Sequence, residues 1–251
     1  MKSLTRNLIT VACLGFPFVW ANAESTHWTY KGDHGPAHWG ALGNALCAKG
    51  TQQSPINISM KQVHPLKGYA SALQIRYGTT SLEVVNNGHT IQANVLHAQA
   101  LTFMGVEYQL RQFHFHTPSE HQINHRTYPM EMHLVNESND GHLLVLSLII
   151  QEGKHNPDLV TLWEHLPVTT GQQVNLGADA AINLNALLPS SSHHVFYKGS
   201  LTTPPCTEDV QWVLYEHPIE LSHTQIDKFQ HLFPDNHRQP QPVNNREVDE
   251  D

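Results

Sequence analysis

Two alternating segments, residues 112–116 and 130–135, constrain the fold of this chain more than any other part of the sequence. Successive side chains on a β-strand point to opposite faces of the sheet, so His114 and His116 share one face and the phenylalanines beside them take the other. His133 alternates with apolar neighbours in the same way. If the two strands are neighbours in one sheet, three imidazoles can converge. Three neutral histidines with an open fourth position are typical of a catalytic zinc site.

Two polar residues beside the histidines strengthen this interpretation. Gln112 and Glu131 each lie two residues before a histidine, at His114 and His133, and therefore on the same strand face. There each side chain can accept the N–H of the ring nitrogen that does not bind the metal, which fixes the tautomer of the ligand. A buried carboxylate such as Glu131 is tolerated only with partners of this kind.

A histidine pair of the form H-x-H is weak evidence alone, because in a chain with 20 histidines it also arises from packing or surface chemistry. His114, His116 and Glu120 also have the H-x-H-x3-E spacing of cupins, which bind a non-haem metal. The cupin motif expects glycines where this chain has Tyr108 and Thr127. The cupin alternative is therefore disfavoured, and zinc is the predicted cofactor.

The remaining sequence predicts one mostly-β domain with short helices. Short alternating or apolar runs bounded by turn residues predict strands over 73–77, 81–85, 90–95, 107–115, 143–150, 195–197 and 210–215. Asn156 before Pro157, and Ser222 with Gln225 three residues later, predict the starts of two amphipathic helices. Residues 27–50 show neither period and predict an irregular arm.

Residues 1–23 have the pattern of a secretory signal peptide. Lys2 and Arg6 give a basic start, an apolar stretch follows, and residues 21–23 read Ala-Asn-Ala, a signal-peptidase cleavage pattern. The alternative is a membrane anchor, but the apolar stretch is short and contains Pro17. We therefore expect an exported protein, periplasmic or secreted, whose single domain spans residues 24–251.

Cleavage after Ala23 leaves 12 basic and 22 acidic residues, a net charge of −10 with neutral histidines. So acidic a chain lacks the clustered Lys and Arg that nucleic acids require. No later segment is long and apolar enough to predict a membrane span. Two cysteines remain, Cys47 and Cys206, and in an oxidising compartment such a pair is more often bridged than free. Two reduced, buried thiols stay open as the alternative.

Residues 28–246 resemble the α-class carbonic anhydrases, in their exported bacterial branch. The resemblance covers nearly all of the predicted mature chain and rests on separate motifs at residues 53–58, 87–89, 112–116, 119–121, 131–135 and 199–205. It implies a single domain around a large twisted, mainly antiparallel sheet of about ten strands. It also implies reversible hydration of carbon dioxide to bicarbonate and a proton, by a hydroxide bound to zinc.

The resemblance assigns zinc to His114, His116 and His133. It implies that Thr202 orients the nucleophile and that Glu120 accepts the proton of the Thr202 hydroxyl. Further positions match the family in four groups: the proton shuttle His89, the disulfide Cys47–Cys206, the residues Thr203 and Tyr30 on the water-filled side of the site, and an apolar wall for the substrate formed by Val135, Val145, Leu201, Val210 and Trp212.

Two departures from the family pattern lie near the site, since Thr117 and His237 each replace a tryptophan. Two other functions stay open. One is a non-catalytic, carbonic-anhydrase-like binding domain, which typically lacks a zinc ligand. The other is an exported zinc-binding protein, which predicts several weak sites. The predicted partner is the small-molecule substrate, and the sequence leaves the oligomeric state open, a homodimer included.

Overall fold

The computed structural model describes residues 27–66, 72–190 and 193–251. The predicted signal peptide at residues 1–23 lies outside these ranges. Among the described residues, no helix has both the length and the apolar character that crossing a membrane would need.

The described residues form short helices and many strands. The strands are β1 Asn57–Ile58, β2 His64–Pro65, β3 Leu73–Arg76, β4 Thr79–Thr80, β5 Leu82–Asn86, β6 Ile91–Val95, β7 Ala100–Phe103, β8 Val106–His116, β9 Gln122–Ile123, β10 Met130–Ser138, β11 Leu143–Glu152, β12 Gln173–Leu176, β13 Ile182–Asn183, β14 His194–Ser200, β15 Glu208–Tyr215, β16 Ile219–Leu221 and β17 Val248–Glu250. The α-helices are α1 Ala45–Lys49, α2 Val160–Glu164 and α3 His223–Leu232, and the 3-10 helices are Gly32–His34, Pro157–Leu159, Ala178–Ala180 and Leu184–Leu187.

One mixed sheet of 13 strands dominates the described part of the chain. Its main path runs β12-β5-β6-β8-β10-β11-β15-β14-β17-β2, while β16, β3 and β7 attach beside it. Most neighbouring pairs are antiparallel, but β11 is parallel to β15 and to β16, and β17 is parallel to β2. The predicted fold class is confirmed: ten strands form the main path, and three further strands extend the sheet.

The central strands β10 and β11 and the second half of β8 are largely buried, and the two faces of the sheet there carry different chemistry. On one face, Phe115, Met132 and Leu148 belong to the larger apolar cluster. Helix α3 covers this face, since the Phe229 ring lies 5.6 Å from the Phe115 ring. On the opposite face, the same alternation places the histidines.

Both predicted helix starts are confirmed. The Asn156 side chain accepts a hydrogen bond from Asp158 N at the start of the 3-10 turn that precedes α2. Ser222 and Gln225 form the complete capping box of α3, because each side chain accepts a hydrogen bond from the backbone N–H of the other. Capped starts fix where each helix enters and therefore which face it turns to the sheet.

The prediction of an arm without helices was wrong in part. Residues 27–50 contain the 3-10 helix Gly32–His34 and the one-turn helix α1, both too short to show a period in the sequence. Helix α1 carries Cys47, which is bonded to Cys206 with an S–S distance of 2.07 Å. The predicted disulfide is therefore present, and it ties the arm to the loop between β14 and β15.

Candidate metal centre

Three histidine side chains meet on the polar face of the central strands. His114 on β8 and His133 on β10 are direct partners in the antiparallel register, and His116 is the last residue of β8. One ring nitrogen from each of the three lies within 4.8 Å of the others. The convergence follows from the period of two along each strand together with this register.

The other ring nitrogen of each histidine donates a hydrogen bond within the protein. His114 Nδ1 donates to Gln112 Oε1 at 2.8 Å, and His133 Nε2 donates to Glu131 Oε1 at 2.7 Å. His116 Nδ1 donates to the backbone carbonyl of Asn236 at 2.7 Å. Because these oxygens only accept, the hydrogen bonds fix the tautomers of the three rings. The nitrogens left to face one another are His114 Nε2, His116 Nε2 and His133 Nδ1.

One of the facing nitrogens has no protein partner. His116 Nε2 is buried and makes no hydrogen bond to any of the described residues. A buried polar atom without a partner is rare and costly unless something else binds it. Zinc is bound by neutral histidine nitrogens at about 2.0–2.1 Å, in sites that commonly use three protein ligands when they are catalytic. The donor set therefore fits zinc.

Burial keeps the three imidazoles neutral, which is the form that binds a metal. It lowers the pKa of His114 well below its usual value, and the repulsion that a protonated His114 would meet from protonated His116 and His133 lowers that pKa further. Burial lowers the pKa of His116 to about 4, against the hydrogen bond to Asn236, and it also lowers the pKa of His133. Metal binding to this site thus requires no loss of protons near neutral pH.

Glu131 is the hub of a buried hydrogen-bond network behind His133. Its Oε1 accepts from His133 Nε2 at 2.7 Å, from His121 Nδ1 at 2.7 Å and from Ser147 Oγ at 2.6 Å, while Oε2 accepts from His121 N at 2.8 Å. Burial alone would raise the pKa of Glu131, but the charges and hydrogen bonds of His121 and His133 hold it well below the usual range. Glu131 is therefore a carboxylate that acts only as an acceptor.

His121, Glu131 and His133 also lie close enough together to resemble a second metal-binding group. Their facing atoms, however, already bond to one another, because Glu131 Oε1 accepts from both histidines. His121 Nε2 lies 2.7 Å from the Tyr197 hydroxyl, which donates to it. This group supports His133 and is not a separate site.

Glu120 and Thr202 are both buried beside the histidines. Glu120 Oε1 accepts from the backbone N–H of Arg238 at 2.8 Å, and Oε2 makes no hydrogen bond within the described ranges. Oε2 lies 3.9 Å from His133 Nδ1. Burial raises the pKa of Glu120, whereas the His133 charge and the nearby Thr202 hydroxyl lower it. The Thr202 hydroxyl thus lies near the Glu120 carboxylate.

The five residues predicted for the apolar wall belong to one cluster on the histidine side of the sheet. Val135, Val145 and Trp212 are neighbours in register across β10, β11 and β15. The Trp212 ring lies 4.9 Å from the His133 ring. Val210 and Leu201 join the same cluster. The structure therefore places an apolar wall directly beside the converging histidines.

His89, the residue predicted to be the proton shuttle, is half-buried at the protein surface. Its ring stacks on Trp28, with centroids 3.8 Å apart and planes inclined by 10°. It lines a surface pocket of about 390 Å³ together with His27, Tyr30 and Asp235. Burial, and then the charge of His27, lower the pKa of His89. A half-buried histidine that is neutral at neutral pH is able to accept a proton there.

Tyr30 and Thr203, the two residues predicted for the water-filled side of the site, have different surroundings. Burial raises the pKa of Tyr30 well above its usual value, and the charges of Glu120 and Asp235 raise it further, so the phenol stays neutral. Thr203 is half-buried, and its carbonyl accepts from Cys206 N at 2.9 Å. The disulfide therefore lies three residues from Thr203 and directly braces the loop that carries Thr202.

The sequence model of the eukaryotic-type carbonic anhydrase family matches residues 34–251. The chain belongs to the α-carbonic anhydrase family. A carbonic anhydrase of Pectobacterium carotovorum is 40% identical over 226 residues, which cover 89% of this chain and 90% of the relative. A carbonic anhydrase of Neisseria gonorrhoeae is 38% identical over 246 residues, covering 96% and 94%. The α-carbonic anhydrase of Thermovibrio ammonificans, solved with the inhibitor sulfanilamide, superposes with a TM-score of 0.85 at 38% identity, covering 89% of this chain and 99% of that one.

Family membership confirms the resemblance seen in the sequence, but four residues at this carbonic anhydrase site were not predicted. Asn236 and Arg238 contribute backbone groups, so their side-chain identity carries no signal for this role. His121 was visible within the motif at residues 119–121 but was given no role. Ser147 lies in a continuously apolar strand, where a lone serine is the only available sign of a polar partner.

Proposed function

We propose that this chain is a zinc-dependent carbonic anhydrase that interconverts carbon dioxide and bicarbonate. The observation that carries the proposal is the convergence of three neutral histidines, the half-buried His114 and the buried His116 and His133, whose outer nitrogens are all hydrogen-bonded and whose inner nitrogens face one another. Zinc bound there would lower the pKa of a water molecule to about 7, the value known for carbonic anhydrase itself, and so provide a nucleophile at neutral pH.

Thr202 and Glu120 orient the nucleophile. In the proposed mechanism Thr202 Oγ1 accepts a hydrogen bond from the nucleophile, so the Thr202 hydroxyl must donate its own hydrogen bond elsewhere. We assign Glu120 Oε2 as that acceptor, because it is buried, is free of any other hydrogen bond among the described residues, and belongs to the carboxylate nearest the Thr202 hydroxyl. The opposite oxygen of the same carboxylate is held by Arg238 N at 2.8 Å, so the carboxylate cannot turn away.

Carbon dioxide is apolar and binds against the wall formed by Val135, Val145, Leu201, Val210 and Trp212. Trp212 is the member of this wall whose ring lies beside His133. The substrate carbon can therefore approach the nucleophile from a face that offers no competing hydrogen bonds. The three histidines lie on β8 and β10, and four of the five wall residues lie on β10, β11 and β15 of the same sheet, while Leu201 lies in the loop after β14.

His89 transfers the excess proton from the site to buffer. Its stacked position on Trp28 places it on the wall of the open pocket. Asn236 Nδ2 donates to the His89 carbonyl at 3.0 Å, and the Asn87 side chain accepts from His89 N at 2.9 Å. These bonds hold the backbone of His89 in place while its ring remains half exposed.

The direct test is carbon dioxide hydration by the mature protein, followed as a fall in pH, with zinc per chain measured on the same sample. We expect one zinc per chain, loss of hydration after a chelator removes it, and recovery when zinc is returned. Full occupancy by one zinc without hydration would identify a non-catalytic domain of this family. Several weakly bound zinc ions per chain and no hydration would identify a zinc-binding protein instead.

Removing the His89 imidazole should separate proton transfer from the chemical step. We expect His89→Ala to lose about tenfold or more of its maximal turnover in weak buffer and to regain it with added imidazole. The value of kcat/KM for carbon dioxide should change little, because it does not include the transfer to buffer. His142→Ala, at a side chain that is 63% exposed, is the control. Absence of imidazole rescue would remove His89 from the shuttle role.

The export of the protein is part of the proposal. The Cys47–Cys206 bridge supports a compartment outside the cytoplasm, where disulfides persist. A periplasmic location after cleavage near Ala23 is the specific proposal. Fractionation with N-terminal sequencing tests it, and a mature chain that still begins at Met1 would contradict it.

A further inference from the structure

Ser147 lies at the centre of strand β11, directly opposite His133 in the antiparallel register with β10. It is fully buried, and its neighbours along the strand are apolar. The Ser147 hydroxyl donates to Glu131 Oε1 at 2.6 Å, the shortest distance among the hydrogen bonds to that carboxylate. The only polar side chain in the middle of this strand thus donates to the carboxylate that accepts from His133.

The direction of this hydrogen bond is unambiguous. A carboxylate only accepts, so the single proton of the Ser147 hydroxyl is committed to Glu131. Oε1 then receives three donors, from His133, His121 and Ser147, although an ionised carboxylate oxygen offers about two lone-pair sites. The donors therefore compete for the electron density of one oxygen.

Glu131 does not need Ser147 for its orientation. The backbone N–H and the ring of His121 already bind the two carboxylate oxygens, at 2.8 and 2.7 Å. The remaining effect of the Ser147 hydroxyl is electronic, because a third donor withdraws negative charge from the oxygen that accepts from His133. Such polarisation is strong where the dielectric constant is low, as at these fully buried groups.

We propose that Ser147 is a positioning residue that acts through Glu131: its hydroxyl weakens the hydrogen bond from His133 Nε2 to Oε1 and so makes His133 a less basic zinc ligand. The inference rests on the proposed function only in taking His133 as a zinc ligand. A carboxylate acceptor behind a histidine raises the basicity of that ligand. A donor that competes for the same oxygen reduces this effect and leaves the metal more acidic.

The test compares Ser147→Ala with the unaltered protein in two measurements that do not depend on carbon dioxide hydration. The first follows the visible absorption of the cobalt(II)-substituted protein as the pH is varied. The second determines the zinc dissociation constant by competition with a chelator. In Ser147→Ala we expect the pH midpoint of the change in cobalt absorption to rise by about half a unit. We expect zinc to bind at least as tightly as in the unaltered protein.

Three further variants separate the effect of the Ser147 hydroxyl from that of packing. Ser147→Thr retains the donor and should keep the midpoint of the unaltered protein. Ser138→Ala removes a buried serine on β10 whose hydroxyl accepts from His142 N at 3.0 Å, away from Glu131, and it should change neither measurement. If Ser147→Ala fails to fold, Ser147→Cys replaces the hydroxyl with a weak donor at nearly constant volume and should raise the midpoint in its place.

The results separate this inference from the proposed function. An unchanged or lowered midpoint in Ser147→Ala, or zinc binding weakened about tenfold, would show that the hydroxyl only supports the structure. An equal shift in Ser147→Thr would attribute the effect to packing and overturn the inference. A protein that binds one zinc but does not hydrate carbon dioxide would defeat the proposed function, while the cobalt spectra and the zinc affinities would still test Ser147.

Discussion

Replacing His116 with alanine should leave the protein folded but unable to retain zinc, and carbon dioxide hydration should fall to the level of the metal-free protein. His116 Nε2 is buried without a partner among the described residues, and a bound metal ion would satisfy it. Two remaining histidines provide fewer ligands than a catalytic zinc site uses. Zinc per chain and the hydration rate, measured on the same samples, check both parts.

Thermal unfolding with and without zinc provides a second measurement for His116→Ala. A ligand that binds only the folded state raises the melting temperature, so added zinc should stabilise the unaltered protein and leave the variant unchanged. His142→Ala exchanges an exposed histidine and should behave like the unaltered protein in every measurement. Full zinc occupancy and full hydration in His116→Ala would exclude these three histidines as the zinc site.

The metal centre is the part of the site that local sequence predicts best. The period of two along a strand determines which face His114, His116 and His133 occupy, and it places Gln112 and Glu131 behind them. Only the pairing of β8 with β10 had to be assumed, and these strands are close in sequence. Their short separation makes antiparallel pairing the simplest connection.

The rest of the site depends on contacts that local pattern does not contain. His116 is oriented by the carbonyl of Asn236, and Glu120 by the backbone N–H of Arg238, both more than 100 residues away. Backbone groups are the same in every residue, so no sequence pattern records these contacts. Positions such as His89, Glu120 and Thr202 were found through resemblance to a family, not through periodicity.

The strands of the sheet likewise differ in how clearly the sequence predicts them. Strands β8, β10 and β11 have nine to eleven residues with clear alternation or continuous apolar character, and all three were predicted. Strands β2 and β16 have two and three residues, too few to show a period. They exist because longer neighbours offer free backbone groups, which is information held by the tertiary fold.

Thr202→Ala should reduce kcat/KM for carbon dioxide hydration by about a hundredfold with zinc content unchanged, because one oriented hydrogen bond in a water-poor site is worth that much. Glu120→Gln should cause a loss of similar size. The glutamine amide donates as well as accepts, so it can turn the Thr202 hydroxyl into an acceptor and remove its preference for the nucleophile's proton. The rates of both variants and their zinc content are the measurements.

The double variant decides whether the two residues form one unit. If Thr202 acts only while Glu120 accepts its proton, the second substitution costs little once the first is made, and the combined loss stays near that of either variant alone. Independent roles would multiply the two losses to about ten-thousandfold. The geometry favours the first result, because the Thr202 hydroxyl lies near the Glu120 carboxylate and the buried Oε2 has no competing donor within the described part of the chain. A multiplied loss would show that Glu120 and Thr202 act independently, and would remove Glu120 as the acceptor that fixes the direction of the Thr202 hydroxyl.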